Sequence, residues 1–442
     1  MHTGRALYVG SVALMVCAGA RAQCPPEWQA ISTSGPDASI HSMVLWDADG
    51  AGPGGPLVAL GGVFSNIGAV PAARVATWDG AAFAPLGAGF NNECRSLAPM
   101  PNGDLVAVGA FTSAGTGPAN RAAFWHSSVN NWSPLGDGVN SVLLVVVPRT
   151  ATEVVVCGAM TSAGGNPASR IASWNGSAWS PLGSGLSSTT SALAVMPNGD
   201  VVAAGAFTSA GGNPASRIAR WNGATWSPLG AGFDVLVRTL LVLPNGDLLA
   251  GGDFTTAGTV STKYIARWNG TDWSALGGGL DAFTPNPGVY SMVSMPNGDI
   301  VAAGNFTVAG GSPANRVARW DGAAWHPMGS GMDVLVRSLL LLPNGDLLAA
   351  GDFTTAGGVP VTRIAKWAPA ISCGPTCDPV DFNNDTLFPD TLDIDDFLSV
   401  FSGGACSTGT CGDIDFNNDG LFPDTMDIDA LLSVFSGGAC IG

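Results

Sequence analysis

Two acidic loops near the C-terminus have the residue types and spacing of a calcium site. The segment at 381–406, DFNNDTLFPDTLDIDDFLSVFSGGAC, returns almost unchanged at 415–440. Carboxylate and amide side chains alternate at the start of each copy, and Ca²⁺ takes roughly six to eight oxygen ligands from such loops. The later carboxylates and one backbone carbonyl in each copy could complete the shell. The predicted ligands are Asp381, Asn383, Asp385, Leu387, Asp390 and Asp393 in the first loop, and Asp415, Asn417, Asp419, Leu421, Asp424 and Asp427 in the second.

The rest of the chain offers no catalytic constellation. The four histidines, His2, His41, His126 and His326, lack metal-ligand spacing, and neither a nucleophile elbow nor a phosphate-binding or dinucleotide-binding loop is present. We therefore assign no catalytic residue. Aspartates recur in identical turns, which favours a structural role over catalysis: Asp104, Asp200, Asp247, Asp299 and Asp346.

Arginines recur four residues before a tryptophan, which leaves two interpretations. A ring of guanidinium groups could bind an anion at a central channel. The interpretation we favour is a repeated structural contact with a turn aspartate or with a tryptophan face. These positions are Arg74, Arg121, Arg170, Arg217, Arg316 and Arg363, with Tyr264 as the exception.

Each acidic loop is followed by a segment with helical periodicity. Apolar residues at 394, 397, 398 and 401, and again at 428, 431, 432 and 435, lie on one face of a helix, and Gly403 and Gly437 end it. This tandem loop-then-helix pattern over 377–442 resembles the bacterial dockerin domain, in a variant ending in Gly-x-Cys. The resemblance implies a calcium-dependent contact with a cohesin-like or cell-surface protein partner. An inserted residue moves the final carboxylate of each loop to the thirteenth position, so the late ligands stay individually open.

The two loops differ at the sixth position, where such loops turn sharply and favour glycine. Gly420 fits that turn and Thr386 does not, so we expect weaker calcium binding in the first loop.

Eight cysteines remain once Cys17 is removed with the leader, and five of them lie in the last 70 residues. Cys377 and Cys406 are as far apart as Cys411 and Cys440, which predicts one disulfide in each copy, although a crossed pairing is also possible. Cys94 and Cys157 fall in strand-like segments, where buried thiols are expected and a bridge between them is the alternative.

The elements that must carry any site on the remaining chain come from a repeat of 47 to 52 residues. Its first tryptophan stands at 78, 125, 174, 221, 268, 320 and 367, and a second aromatic residue follows most of these by five positions. Each period holds an apolar strand ending in Pro-Asn-Gly-Asp, a Gly-Gly strand, a Gly-rich loop and a hairpin through Trp-Asn-Gly. Four short strands in each period predict a mainly β fold, a seven-bladed β-propeller of four-stranded blades.

The Gly-Gly strand followed by the Trp-Asn-Gly-x-x-Trp hairpin, over 28–368, resembles the Kelch-type repeat and related bacterial propeller repeats. The count predicts how the ring closes. The chain begins with a fourth-type strand at Trp28 and stops after a third-type strand at Trp367. We expect the N-terminal strand to complete the last blade and a Cys24–Cys373 disulfide to stand in for the missing turn.

The first 22 residues read as a secretory signal, with Ala20-Arg21-Ala22 as the cleavage site. We thus predict a signal peptide at 1–22, a propeller at 23–372 and a small α-helical calcium-loop domain, dockerin-like or EF-hand-like, at 373–442. The chain is expected to be secreted or on the cell surface, with no membrane span. A net charge of −16 argues against nucleic acid as a partner.

Two functions remain open for the propeller. The first is a binding or scaffold protein that displays a glycan or protein ligand site, with the segments 282–288 and 91–94 as the candidates for specificity, because repeat proteins place variation on exposed loops. The second is a carbohydrate-active enzyme recruited by the dockerin-like tail. A convergent pair of carboxylates at the channel mouth would distinguish the enzyme.

Overall fold

In the computed structural model, residues 26–32, 34–50, 54–282 and 287–369 are described, together with Leu398. Two compact units are present, Glu27–Ala368 and the two chain ends, Met1–Pro26 with Pro369–Gly442. Of the chain ends, only Pro26, Pro369 and Leu398 are described. Leu398 is helical, as the periodicity predicts, and its side chain is 41% exposed. No helix among the described residues has the length and apolar character to cross a bilayer.

The unit Glu27–Ala368 is a β-propeller, and its described residues form seven four-stranded sheets. In each blade the strands pair in sequence order from the inner to the outer strand, except that the N-terminal strand is the outer strand of blade 7. The strands of blades 1 to 4 are Ile40–Trp46, Leu57–Gly62, Val75–Trp78 and Phe83–Pro85; Cys94–Pro99, Leu105–Gly109, Ala122–His126 and Asn131–Pro134; Leu143–Pro148, Val154–Gly158, Ile171–Trp174 and Trp179–Pro181; and Thr190–Val195, Val201–Gly205, Ile218–Trp221 and Trp226–Pro228. Those of blades 5 to 7 are Val237–Val242, Leu248–Gly252, Ile265–Trp268 and Trp273–Ala275; Gly288–Ser294, Ile300–Asn305, Val317–Trp320 and Trp325–Pro327; and Val336–Leu341, Leu347–Gly351, Ile364–Pro369 and Pro26–Ala30.

The blades close into a ring. Each inner strand contacts the inner strands of its two neighbours, and Val336–Leu341 of blade 7 contacts Ile40–Trp46 of blade 1. The buried apolar side chains form seven clusters, each shared by two adjacent blades, and one of them joins blade 7 to blade 1. An open row of seven sheets would have six interfaces between neighbours, so seven shared interfaces mean that the ring is closed. The expected architecture is therefore present in the described residues.

Tryptophans of the outer strands join six of the seven blades to the blade before them. Trp28 donates from Nε1 to the Met328 carbonyl at 2.9 Å, and its ring lies 5.2 Å from that of Trp367. The same bond joins Trp132 to Leu86, Trp179 to Leu135, Trp226 to Leu182, Trp273 to Leu229 and Trp325 to Leu276. Because Trp28 makes the same contact, the strand Pro26–Ala30 packs as an ordinary outer strand. It differs from the other outer strands in that no hairpin turn joins it to the third strand of its blade.

Serines join neighbouring inner strands, whose edges facing the axis of the ring have no strand partner. Ser338 Oγ accepts the Met43 N–H at 3.1 Å across the junction of blades 7 and 1, and Ser42 Oγ accepts the Leu97 N–H at 3.2 Å. Equivalent bonds run from Val146 N to Ser96 Oγ and from Leu339 N to Ser291 Oγ. Backbone donors facing the neighbouring blade are satisfied in this way.

The Gly-rich loops between the second and third strands form short ribbons instead of irregular loops. Their strand pairs are Asn66–Ile67 with Val70–Pro71, Ser113–Ala114 with Gly117–Pro118, Ser162–Ala163 with Asn166–Pro167, Ser209–Ala210 with Asn213–Pro214, Thr256–Ala257 with Val260–Ser261, Val308–Ala309 with Ser312–Pro313, and Thr355–Ala356 with Val359–Pro360. In blade 6 the strand Leu280–Asp281 adds to the ribbon. Because second strands end where first strands begin, these ribbons lie on the rim at which the inner strands start.

The repeated arginines have a different structural role from the one expected. All six, and Tyr264, have φ between 63° and 71°, a left-handed conformation that is uncommon outside glycine. The guanidinium groups of four of them bind backbone carbonyls: Arg74 donates to Phe64 O at 2.9 Å and Arg316 to Phe306 O at 3.1 Å, and Arg170 and Arg363 make similar bonds. The expected contact with a turn aspartate was wrong.

The turn aspartates pair instead with a basic side chain on the third strand, as Asp247 does with Arg267 at 2.6 Å. Equivalent pairs are Arg220–Asp200, Arg319–Asp299, Lys366–Asp346 and His126–Asp104. The structural role predicted for these aspartates agrees with the contacts.

Candidate functional site

Every inner strand contains a β-bulge near its start, one residue in for six blades and two residues in for blade 6. In blade 1 the pairing with the second strand skips from Ile40 to Ser42, so that His41 has no partner across the sheet. The same shift occurs in the other six blades. The bulged residues are half-buried: His41, Arg95, Leu144, Ser191, Arg238, Tyr290 and Arg337. A bulge re-aims its side chain, and here it does so at the rim of a closed ring.

These seven bulged residues, which we call the bulge ring, differ from blade to blade while their surroundings repeat. The residue before the bulge is buried in every blade, and the residue two positions after it is buried in six of the seven. The bulge itself carries imidazole, guanidinium, aliphatic, hydroxyl or phenol groups. Variation between the units of a repeat protein often lies on its binding face.

Blades 5 and 7 present the same guanidinium–carboxylate pair. Arg238 donates from Nε and Nη2 to the two carboxylate oxygens of Asp253, the second at 2.7 Å. Arg337 makes both equivalent bonds to Asp352 at 2.7 Å. Each aspartate directly follows the second strand of its blade, so it lies on the bulge rim. The exposed valines Val235 and Val334 stand three residues before these arginines.

Tyr290 of blade 6 lies between these two pairs. The Arg238 guanidinium carbon is 4.6 Å from the centre of its ring, a cation–π contact. The charges of Arg238, Asp253, Arg337 and Asp352 all act on its phenol, and burial is the main cause of its raised pKa. The phenol is therefore protonated at neutral pH and can both donate and accept a hydrogen bond.

His41 and Arg95 continue the ring in blades 1 and 2. Burial, followed by the positive charges of Arg337 and Arg95, lowers the pKa of His41 to about 4, so the imidazole is neutral at pH 7. Arg95 pairs through Nη2 with Glu93 at 2.8 Å. His41 Nδ1 and Arg95 Nε are buried without a hydrogen-bond partner. Two polar atoms on neighbouring blades are thus left for a ligand or water.

Formal charges balance in this part of the ring. Three arginines face three carboxylates, and His41 and Tyr290 are neutral at pH 7. Ion pairing with Arg337, together with hydrogen bonds, outweighs burial and lowers the pKa of Asp352. A carboxylate held ionised in this way is a poor general acid near neutral pH.

The structure places the two expected specificity segments differently. Asn91 accepts the backbone N–H groups of Thr112 and Ser113 through its side-chain oxygen, as Asp234 does for Thr255 and Thr256. Asn91 is therefore a repeated structural contact. Cys94 and Cys157 are fully buried free thiols, so the expected thiols are present and the alternative bridge is absent.

The end of the other segment reaches the bulge ring. Residues 283–286 lie outside the described part of the chain. A Cβ on Gly288 would stand 2.5 Å from Asp253 Oδ1, so the segment ends against the carboxylate that holds Arg238. The insertion in the sixth repeat thus leads directly into Tyr290.

All predicted calcium ligands lie outside the described residues. So do six of the eight cysteines that follow Cys17, which are the expected pairs Cys24–Cys373, Cys377–Cys406 and Cys411–Cys440. In the described part of the propeller, no three His, Cys, Asp or Glu side chains gather as a metal site.

A cavity of about 290 Å³ lies on the opposite rim, between blades 7 and 1. Trp78, Leu342 and Lys366 are among its lining residues. Lys366 already pairs with Asp346 at 3.3 Å, one of the repeated turn contacts. The bulge ring therefore has the richer and less repetitive chemistry, although its members were not singled out by motif. An alignment of the seven repeats would have marked the position.

Comparison with known proteins supports the fold. A family model described as "Domain of unknown function (DUF5122) beta-propeller" matches residues 197–223 and 296–320, which lie in blades 4 and 6. No curated protein matches. The expected Kelch and dockerin assignments find no support in these comparisons.

Several solved structures are similar to this chain. The extracellular domain of the putative hybrid two-component system BT4673 from B. thetaiotaomicron matches with a TM-score of 0.51 and 9% identity over 77% of this chain and 39% of that one. The WD40 β-propeller domain of Doa1 has a TM-score of 0.47 and 14% identity over 77% and 96%. YCF48 bound to D1 peptide has a TM-score of 0.49 and 16% identity over 78% and 98%. The chain contains a β-propeller of four-stranded antiparallel blades, as its sheets show, and it is similar to DUF5122 propeller repeats and to the extracellular domain of BT4673.

Proposed function

We propose that this protein is a secreted binding scaffold whose seven-bladed propeller holds a ligand at the bulge ring. The observation that carries the proposal is the variation of the seven bulged residues on a frame that otherwise repeats. Side chains of blades 5, 6, 7, 1 and 2 interact there across blade boundaries, through the Arg238–Tyr290 contact and the charges around His41. Such convergence on one rim suits recognition of one ligand by several blades.

The enzyme alternative requires a carboxylate free to exchange a proton. Glu93, Asp253 and Asp352 are each paired with an arginine, which favours the binding function. The test is a parallel screen of the full chain for polysaccharide hydrolysis and for ligand binding. Binding without product release supports the scaffold. Product formation that is lost in Asp352→Asn contradicts it and establishes the enzyme.

We further propose that the tail, 373–442, binds two calcium ions through the dockerin-like loops and docks the propeller to a cohesin-like or cell-surface protein. The support is the near-verbatim duplication of the Asp-x-Asn-x-Asp loops with their helices and cysteines. The three expected disulfides belong to the same proposal.

Calorimetric titration of the full chain with calcium tests the tail. Asp381→Ala and Asp415→Ala should each remove one of two binding events, because each deletes the first ligand of one loop. Asp378→Ala, just outside the alternating ligands, is the matched control and should leave both events. Absence of heat in the unsubstituted chain contradicts the calcium proposal.

A further inference from the structure

We infer that the ligand of the bulge ring is an uncharged, hydroxyl-rich molecule, a carbohydrate, held between two identical half-sites on blades 5 and 7. The inference rests on the proposed binding function and names its ligand class. The half-sites share the sequence Asp-Val-Leu-Val-Arg at 234–238 and 333–337, and Gly-Asp-Phe-Thr-Thr-Ala-Gly at 252–258 and 351–357. Tyr290 of blade 6 lies between them.

Charge compensation excludes an anionic ligand as the best fit. Both half-site arginines already bind a carboxylate in bidentate fashion. A ligand carboxylate or phosphate would compete with Asp253 or Asp352 and add unbalanced negative charge beside them. A cationic ligand would compete with Arg238 or Arg337 for the same carboxylates and would add unbalanced positive charge. A neutral ligand can add to these pairs without breaking them.

Unused hydrogen-bonding capacity favours hydroxyl groups. The bidentate pairs use Nε and one Nη2 hydrogen of each arginine, so the second Nη2 hydrogen, the Nη1 hydrogens and further carboxylate lone pairs are not used by the pair itself. A sugar hydroxyl is donor and acceptor at once, so adjacent hydroxyls can satisfy both groups of a pair. The unpartnered Arg95 Nε and His41 Nδ1 extend the same capacity toward blade 2.

Backbone recognition of a peptide is less well served. A peptide strand adds to a sheet by pairing with free backbone groups at its edge. Inner-strand N–H groups at four blade junctions are already bound by Ser42, Ser96, Ser291 and Ser338 of the neighbouring blades. A peptide would depend on side chains, and its charged ones would meet the compensated pairs described above.

The test is an array of neutral and uronic-acid-containing oligosaccharides probed with the full chain, followed by titration of the best neutral binder. Tyr290→Ala and the charge-neutral double variant Arg337→Met with Asp352→Asn should each weaken binding by roughly tenfold or more, the loss expected when hydrogen bonds to charged groups are removed. Affinity should change little between low and high salt, because no net charge is paired on binding.

Arg267→Met is the matched control. Arg267 lies on the third strand of blade 5 and pairs with the turn residue Asp247, so it makes an arginine–aspartate ion pair outside the bulge ring. It should bind like the unsubstituted chain, and thermal melting of all variants checks that they fold. Tyr290→Phe keeps the ring if Tyr290→Ala does not fold.

The outcomes separate the inference from the proposed function. If the protein binds only acidic sugars or peptides, and the Tyr290 and Arg337/Asp352 variants lose that binding, the inference of a neutral carbohydrate is overturned but the bulge ring remains a binding site. If a ligand binds with the same affinity to all bulge-ring variants, both the carbohydrate inference and the proposed binding site at the bulge ring are overturned. No signal from any carbohydrate at millimolar concentration overturns the inference.

Discussion

Replacing Trp28 with phenylalanine tests how the ring is closed. The change removes the Nε1–H that the Met328 carbonyl accepts at 2.9 Å and keeps most of the ring that packs 5.2 Å from Trp367. A buried carbonyl left without its donor costs about 1–3 kcal/mol. For a unit the length of Glu27–Ala368, each kcal/mol lowers the melting temperature by roughly 1.4 °C, so the expected drop is about 1–4 °C.

The assay combines thermal melting with hydrogen exchange of the strand Pro26–Ala30. Trp325→Phe is the matched control, because it loses the same bond, to the Leu276 carbonyl at 3.0 Å, in a blade whose four strands are continuous. Both variants should melt earlier by similar amounts, and only Trp28→Phe should speed exchange in the N-terminal strand. A normal melting temperature and normal exchange for Trp28→Phe, beside a destabilised control, would refute this account of closure.

The remaining predictions concern one blade junction, one buried histidine and one calcium loop. Phe83 takes the place of the outer-strand tryptophan in blade 1 and cannot donate a hydrogen bond to the preceding blade. Phe83→Trp should gain a bond to the Ile31 carbonyl and raise the free energy of unfolding by about 0.5–1.5 kcal/mol, measured by denaturant unfolding. A loss of stability contradicts the repeated geometry. Because the pKa of His41 is lowered from 6.5 to about 4, the unfolded chain binds more protons between these values, and stability should fall as pH drops from about 6.5 to 4. His41→Phe should flatten that slope in melting curves while His126→Gln keeps it, and equal slopes in all three proteins contradict a buried neutral His41. Thr386→Gly should tighten calcium binding in the first tail loop toward that of the second, and unchanged affinity in calorimetry contradicts the role given to the sixth position.

The architecture could be predicted from the sequence because its signal is periodic. Trp78 and its six equivalents mark third strands, and the unpaired outer strand at Trp28 fixes how the last blade is completed. A buried tryptophan at a constant interval reports both the repeat and the packing. Counting therefore gave the number of sheets and the strand that closes the ring.

The bulge ring was not predicted from motifs, because a bulge is a change of pairing register that no residue type signals, and only an alignment of the seven repeats marks its variable position. His41 or Arg95 looks like any polar residue in an apolar strand until the pairing across the sheet is known. The arginines at positive φ were misread for a related reason. Side-chain type suggested an ion pair with a turn aspartate, whereas the backbone conformation turns the guanidinium of Arg74 to a carbonyl.

The closed ring of seven blades, on which the binding site depends, is tested most directly by two distances. Spin labels introduced as unnatural amino acids at exposed turn positions 81, 177 and 323 would report on blades 1, 3 and 6 without using the native cysteines. Blades 3 and 6 are each two blades away from blade 1 in a closed ring of seven, so the 81–177 and 81–323 distances should be equal. An 81–323 distance much longer than the 81–177 distance would mean an open array and would contradict the ring.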